Sequence, residues 1–253
     1  MTAVRRVIGL VALSAVVFAA APTAGAQTST VTSVIGSANG LFADLEVVTS
    51  VVDPLTFGPE PAVTVPSEGG SVSEEILGVE EVVPGALRLS AALVRASAEG
   101  AVGPAGFATA ESTVADVELQ EQDSVQVGAI LEAEAVTATC AADLDGVSGS
   151  TTLVGASVLG TALDAEPEPN TELEITLPGT LAEVGVTLNR QVENPDGSLS
   201  VTALVIEVNI GEGFITGTLE VGPATCGVVE GEVPASPPAP APAPVTAQVR
   251  FTG

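Results

Sequence analysis

Across 253 residues the chain sets 32 acidic side chains against 6 basic ones, a net charge of −26, and it contains no His, Lys, Trp or Tyr. A surface so acidic repels nucleic acid and anionic lipid headgroups. The missing side chains remove the imidazole or amine that Ser-His, Cys-His and Ser-Lys catalysis uses as proton acceptor, and the histidines of the usual exported zinc sites.

The chain opens with Arg5 and Arg6, an apolar run from Val7 to Ala21, and Ala24-Gly25-Ala26 before Gln27. This order of charged, apolar and small-residue regions is that of a secretory signal peptide over residues 1–26. The apolar run falls short of the roughly 20 residues that cross a bilayer as a helix, so the reading is a secreted, extracellular protein with no transmembrane helix in the mature chain. Every acidic residue lies beyond Ala26, where Arg88, Arg95, Arg190 and Arg250 are the remaining bases. That balance serves solubility first.

From Gln27 onward Val, Thr, Ala and Gly dominate, with apolar positions recurring at period two, the mark of half-buried strands. Strands are predicted at Val31 to Ile35, Leu41 to Val48, Ala62 to Val65, Leu87 to Ala98, Phe107 to Leu119 and Val125 to Cys140. Glu74-Glu75 and Glu80-Glu81 mark an exposed segment between them. Leu87–Arg95 and Leu131–Ala135 are also rich in helix formers. Leu87, Leu89, Ala91 and Leu93 alternate on one face, however, and the second stretch runs into a β-branched segment, so both are read as strands.

Asp143-Leu144-Asp145-Gly146, with Ser148 and Ser150 beyond it, sets acidic oxygens at alternate positions before a glycine, as hard-cation loops do. The same tetrapeptide is common in hairpin turns and lacks a distal bidentate Glu. A plain turn is the first reading, and calcium held by Asp143 and Asp145 the alternative. Glu166-Pro167-Glu168-Pro169-Asn170 reads as a solvated loop. With 32 acids, carboxylate pairs at glycosidase spacing arise by chance, and only Phe is present to hold a sugar ring.

Leu173, Ile175 and Leu177, then Val184, Val186 and Leu188, continue the alternation. Asn194-Pro195-Asp196-Gly197 forms a hairpin signal before Leu199, Val201, Ala203 and Val205. A further strand from Phe214 to Val221 completes an antiparallel meander. Cys140 and Cys226 are the two cysteines, and an even count in an exported chain reads as a disulfide. Both end similar runs, Val136 to Cys140 and Gly222 to Cys226, which places two strand ends side by side. The predicted domain thus spans residues 27–232. A Pro/Ala-rich spacer follows over residues 233–244, extended as polyproline II. Val245, Ala247, Val249 and Phe251 alternate in a strand-like tail over residues 245–253.

Val186-Thr187-Leu188-Asn189-Arg190-Gln191 and then Leu199 to Ile206 carry a resemblance to another group. So do Pro169-Asn170-Thr171, the strand ending at Cys140, and the Val63 to Gly70 stretch. Together they resemble the actinobacterial secreted choice-of-anchor P family. The family's pattern has an acidic residue where Arg190 stands, Asn at Thr202 and His at Val205. The resemblance implies an exported β-rich domain whose relatives end in varied anchoring segments.

These readings combine into an all-β, antiparallel β-sandwich or barrel-like domain with one Cys140–Cys226 disulfide. Its expected role is a non-enzymatic structural or interaction module at or near the cell envelope, with an unknown envelope or extracellular partner. The competing expectation is a calcium-dependent ligand-binding or adhesion domain.

Overall fold

The β-branched, alternating segments fold as strands, and in the computed structural model they stack as two antiparallel sheets with the apolar positions between them. The structure describes residues 29–47, 54–84, 87–121, 129–176, 182–210 and 215–232, all within one compact unit, Thr28–Val233. The signal peptide, the spacer, the tail, residues 125–128, Leu177 and Phe214 lie outside the described residues.

One sheet, here sheet A, contains β1 (Ser29–Val47), β2 (Leu55–Thr64), β10 (Thr171–Thr176), β11 (Ala182–Glu193), β12 (Leu199–Ile210) and β13 (Ile215–Glu232). Its order is β10-β11-β12-β13-β1-β2. Sheet B contains β3 (Gly69–Val83), β4 (Leu87–Ala101), β5 (Phe107–Glu121) and β6 (Ala129–Asp143). Beyond β6 it adds β7 (Gly146–Val154) and the two-residue pieces β8 (Ser157–Val158) and β9 (Thr161–Ala162). Its order is β3-β4-β5-β6-β8-β9, with β7 also paired to β6. The sandwich reading therefore holds, and no helix among the described residues is long and apolar enough to cross a membrane.

The predicted strands at Val31 to Ile35 and Leu41 to Val48 merge into the single β1 as far as Val47, and Val48 lies outside the described residues. The strand predicted to end at Val221 continues to Glu232. Gly69–Val83 is a strand too, although its paired glutamates suggested only an exposed segment. It is an edge strand, so burial on one side alone shapes its composition.

Side-chain alternation changes phase along sheet B. In β4, Leu87, Leu89 and Ala91 are buried, and then Val94, Ala96 and Ala98. Leu93 therefore does not share the face of Leu87, Leu89 and Ala91 as the sequence alternation suggested. β3 switches at Gly78 and β5 at Asp116, both with positive φ (71° and 50°). These residues sit at about the same level of the sheet as Ala92. Asn189 (φ 50°) and Gly222 (φ 69°) mark the corresponding switch in sheet A. A residue in the left-handed region lets a strand turn its other face inward, with one pair of the ladder skipped and the register kept on either side. Gly40 meets the same level from β1, where an added Cβ would lie 2.1 Å from Val94 Cγ1, so only glycine allows the sheets to approach there.

The disulfide joins Cys140 of β6 to Cys226 of β13, with Cα atoms 5.6 Å apart. It runs across the sandwich from sheet B to sheet A, inside the core, with Cys226 fully buried. The pairing expected from sequence is correct, but its setting differs. The two cysteines face one another between sheets, and neither ends its strand.

Candidate interaction surface

The strands of sheet B present their non-core positions to solvent in register. Ser71, Glu99, Thr109, Ala141 and Ser148 form one cross-strand row; Ser73, Ser97, Glu111, Thr139 and Ser150 form the next. A third row reads Glu75, Arg95, Thr113, Thr137 and Thr152. At the phase switch the row turns apolar, with Leu77, Leu93, Ala115, Ala135 and Val154. Strands about 4.8 Å apart hold these hydroxyls in a grid. Thr139 and Ser150 hydroxyls bond at 2.8 Å, and Thr113 and Thr137 at 3.3 Å. The face is thus a plate of short hydroxyl side chains interspersed with Glu75, Arg95, Glu99 and Glu111 and lined along one border by apolar residues, and an open depression lies over Ser73, Ser97, Glu111 and Thr139.

The outer face of sheet A is acidic too. Asp44, Glu46, Glu172, Glu174, Glu183 and Glu207 are exposed there, and Arg190 is tied to Glu220 at 2.8 Å. Arg190, one position where the sequence departs from the pattern it resembles, therefore pairs with an acid of the same sheet. Thr202 and Val205, the other two departures, are buried at 4% exposure each.

Asp143 and Asp145 occupy the β6–β7 hairpin, where Asp143 pairs with Gly146 (φ 140°). The Asp145 N–H donates to Asp143 Oδ1 at 2.8 Å, an aspartate turn closed on its own backbone. Both side chains are exposed, and among the described residues no three or more acids or cysteines gather as a metal-ligand group. In the Glu166 to Asn170 run both glutamates are exposed while Pro167 is buried.

That run is held by residues of the family-like motif. Asn189 Nδ2 donates to the Pro167 carbonyl at 2.9 Å, and the Asn170 N–H donates to the Asn189 carbonyl at 2.9 Å. Asn170 Oδ1 accepts from the Gln191 N–H at 2.8 Å. Gln191 Nε2 reaches the Gly149 carbonyl, and Thr151 Oγ1 donates to Asn189 Oδ1 at 3.2 Å, so β7 of sheet B is latched to β11 of sheet A. These asparagines and the glutamine satisfy backbone and one another rather than opening toward a ligand.

Just beyond the same end of β11, the Asn194 to Gly197 turn is closed as expected, with Gly197 N–H donating to the Asn194 carbonyl at 3.0 Å. Asp196 Oδ1 accepts from the Ser198 hydroxyl at 2.7 Å and from its N–H at 3.0 Å, which lowers the carboxyl below its ordinary value. Ser112 is fully buried with its hydroxyl unbonded among the described residues, facing Gly222 across the core.

Sequence reasoning missed the grid, because cross-strand register does not show in a linear pattern. Its signal is the recurring Ser and Thr at alternate positions of β5, β6 and β7. Comparison with protein-family models, with curated proteins and with solved structures finds no match for this chain.

Proposed function

We propose that this chain is a non-enzymatic, exported structural or interaction module that works at or near the cell envelope, and that its contact surface is the hydroxyl-lined outer face of sheet B. The registered grid of Ser and Thr over β3 to β7 carries this reading. Short hydroxyls offer donors and acceptors at little cost in side-chain entropy, which suits a repetitive polar partner such as an envelope polymer. A core staple between the sheets and the absence of His and Lys fit the same reading. The likeness to the choice-of-anchor P family belongs to it as well, since the residues that carry the likeness hold strands together.

Fractionation of a host expressing the full chain tests this. The protein is expected in the envelope fraction, and a Ser97→Glu/Thr137→Glu double variant of unchanged Tm is expected in the medium. Wild-type protein found wholly in the medium, or a variant that fractionates like wild type, removes the proposal. Calcium titration of the same protein decides the alternative: saturable uptake lost on Asp145→Asn would restore the binding reading for Asp143 and Asp145.

A further inference from the structure

Most sheet edges of this domain are short, blunted or already in use. β2 contains Pro59 and Pro61, which have no N–H to extend a ladder. β10 is 6 residues long and β9 only 2. β7 spends its edge inside the domain, since its Gly149 carbonyl accepts from Gln191 and its Leu153 N–H donates to the Ala165 carbonyl. β3 is different. It runs 15 residues without proline, paired to β4 on one side, and no strand lies beyond it among the described residues. Backbone donors and acceptors are therefore presented along that length.

The side chains of β3 fix the chemistry of a strand that could join it. Its register places Val72 beside Ala98, Glu74 beside Ala96 and Ile76 beside Val94, and these three partners are all buried. Beyond Gly78 the inward face continues with Val79, Glu81 and Val83, opposite the buried Ala91, Leu89 and Leu87. Two core-face positions of this edge are thus carboxylates, Glu74 and Glu81, and both are exposed. Glu75 and Glu80 alternate with them onto the outer face. Of the four, Glu80 alone has a cationic partner among the described residues, Arg88 at 3.4 Å. Val72 and Ile76 are packed against the core only in part, and Leu77 on the outer face is 72% exposed.

We propose that the β3 edge captures an extended, cationic peptide segment of a partner protein as an added strand. The main-chain ladder supplies affinity and the side chains supply the choice of partner. Basic residues of the added strand meet Glu74 and Glu81 on one face and Glu75 and Glu80 on the other, while β-branched residues between them cover Val72, Ile76 and Leu77. A second copy of this chain fits poorly, because pairing β3 with itself crowds four glutamates from each copy onto two adjacent strands. The proposal goes beyond the envelope reading and does not rest on it, since it needs the edge of sheet B and not its hydroxyl grid.

The test titrates the full chain with a Val/Thr peptide that carries two lysine doublets spaced like the glutamate doublets of β3, and follows amide exchange by NMR. Saturable binding is expected, with exchange slowed about tenfold or more at alternate amides between Val72 and Val82 and unchanged in β10. Glu74→Gln/Glu81→Gln is expected to weaken binding roughly five- to tenfold. Glu172→Gln/Glu174→Gln removes the same charge from β10 and is expected to change it by less than about twofold. Binding without slower exchange in β3, or equal losses in the two variants, would mean diffuse attraction to an acidic surface and overturn the proposal. No binding at all would overturn it too. So would concentration-dependent slowing of the same amides without peptide, which would give the edge to a second copy.

Discussion

The Thr151 hydroxyl of β7 and the Asn189 amide of β11 meet at 3.2 Å, a hydrogen bond between two sheets made by side chains that are each 4% exposed. Because Asn189 also bonds the Pro167 carbonyl and accepts from Gln191, its removal strands several buried polar groups at once. Asn189→Gly keeps the left-handed backbone (φ 50°) and deletes only the amide. It is expected to cost about 1–3 kcal/mol in urea unfolding, the usual penalty for unsatisfied buried groups. Thr151→Val should remove a smaller part of the same term, and the double variant should cost less than the two together.

Leu89 is fully buried and Leu93 is half-buried on the outer face of sheet B. Leu89→Ala is therefore expected to cost about 2–5 kcal/mol, as cavity-forming core truncations do. Leu93→Ala should cost well under half as much, by equilibrium denaturation. Equal costs would mean that the two leucines share a face after all.

The disulfide links positions separated by 86 residues. Replacing both Cys140 and Cys226 by Ala is expected to lower stability by about 4–5 kcal/mol on the loop-entropy model. Thermal unfolding with and without reductant should give the same shift for the wild type and none for the variant.

Asp196 accepts two bonds from Ser198, and its carboxyl lies below the ordinary value. A depressed folded-state value stabilises the protein above the unfolded carboxyl's pKa, and that contribution is lost as pH falls through the lower, folded one. Tm measured through the acid range should therefore drop less steeply for Asp196→Asn than for the wild type. An NMR titration should place the Asp196 midpoint below that of an unstructured aspartate peptide.

Strand content, the hairpin at Asn194 to Gly197 and the cysteine pairing were legible in the sequence, because each is written in local spacing or turn chemistry. The phase switch at Leu93 was not. An Ala92-Leu93-Val94 run satisfies alternation either way, and only the facing β1 with Gly40 decides which residue goes inward. β3 was hidden by its glutamate doublets, which an edge strand tolerates and a central one would not. The hydroxyl grid needs the pairing of Thr113 with Thr137 and of Thr139 with Ser150, residues whose partnership follows from tertiary register. For the same reason, the Asn189 motif could be noticed as a pattern before its role as a latch was visible.

β1 lies between β13 and β2, so the first described strand borrows half its ladder from the last. Such a sheet cannot grow outward from its beginning as the chain is delivered residue by residue. β1 and β2 can pair early as a hairpin, and sheet B can assemble from neighbours in sequence, but the middle of sheet A stays unzipped until β13 arrives. Folding of this domain is therefore a closing step, slow in the manner of distant pairings. A chain cut short before Ile215 would leave β1 with an open seam where its longest partner belongs.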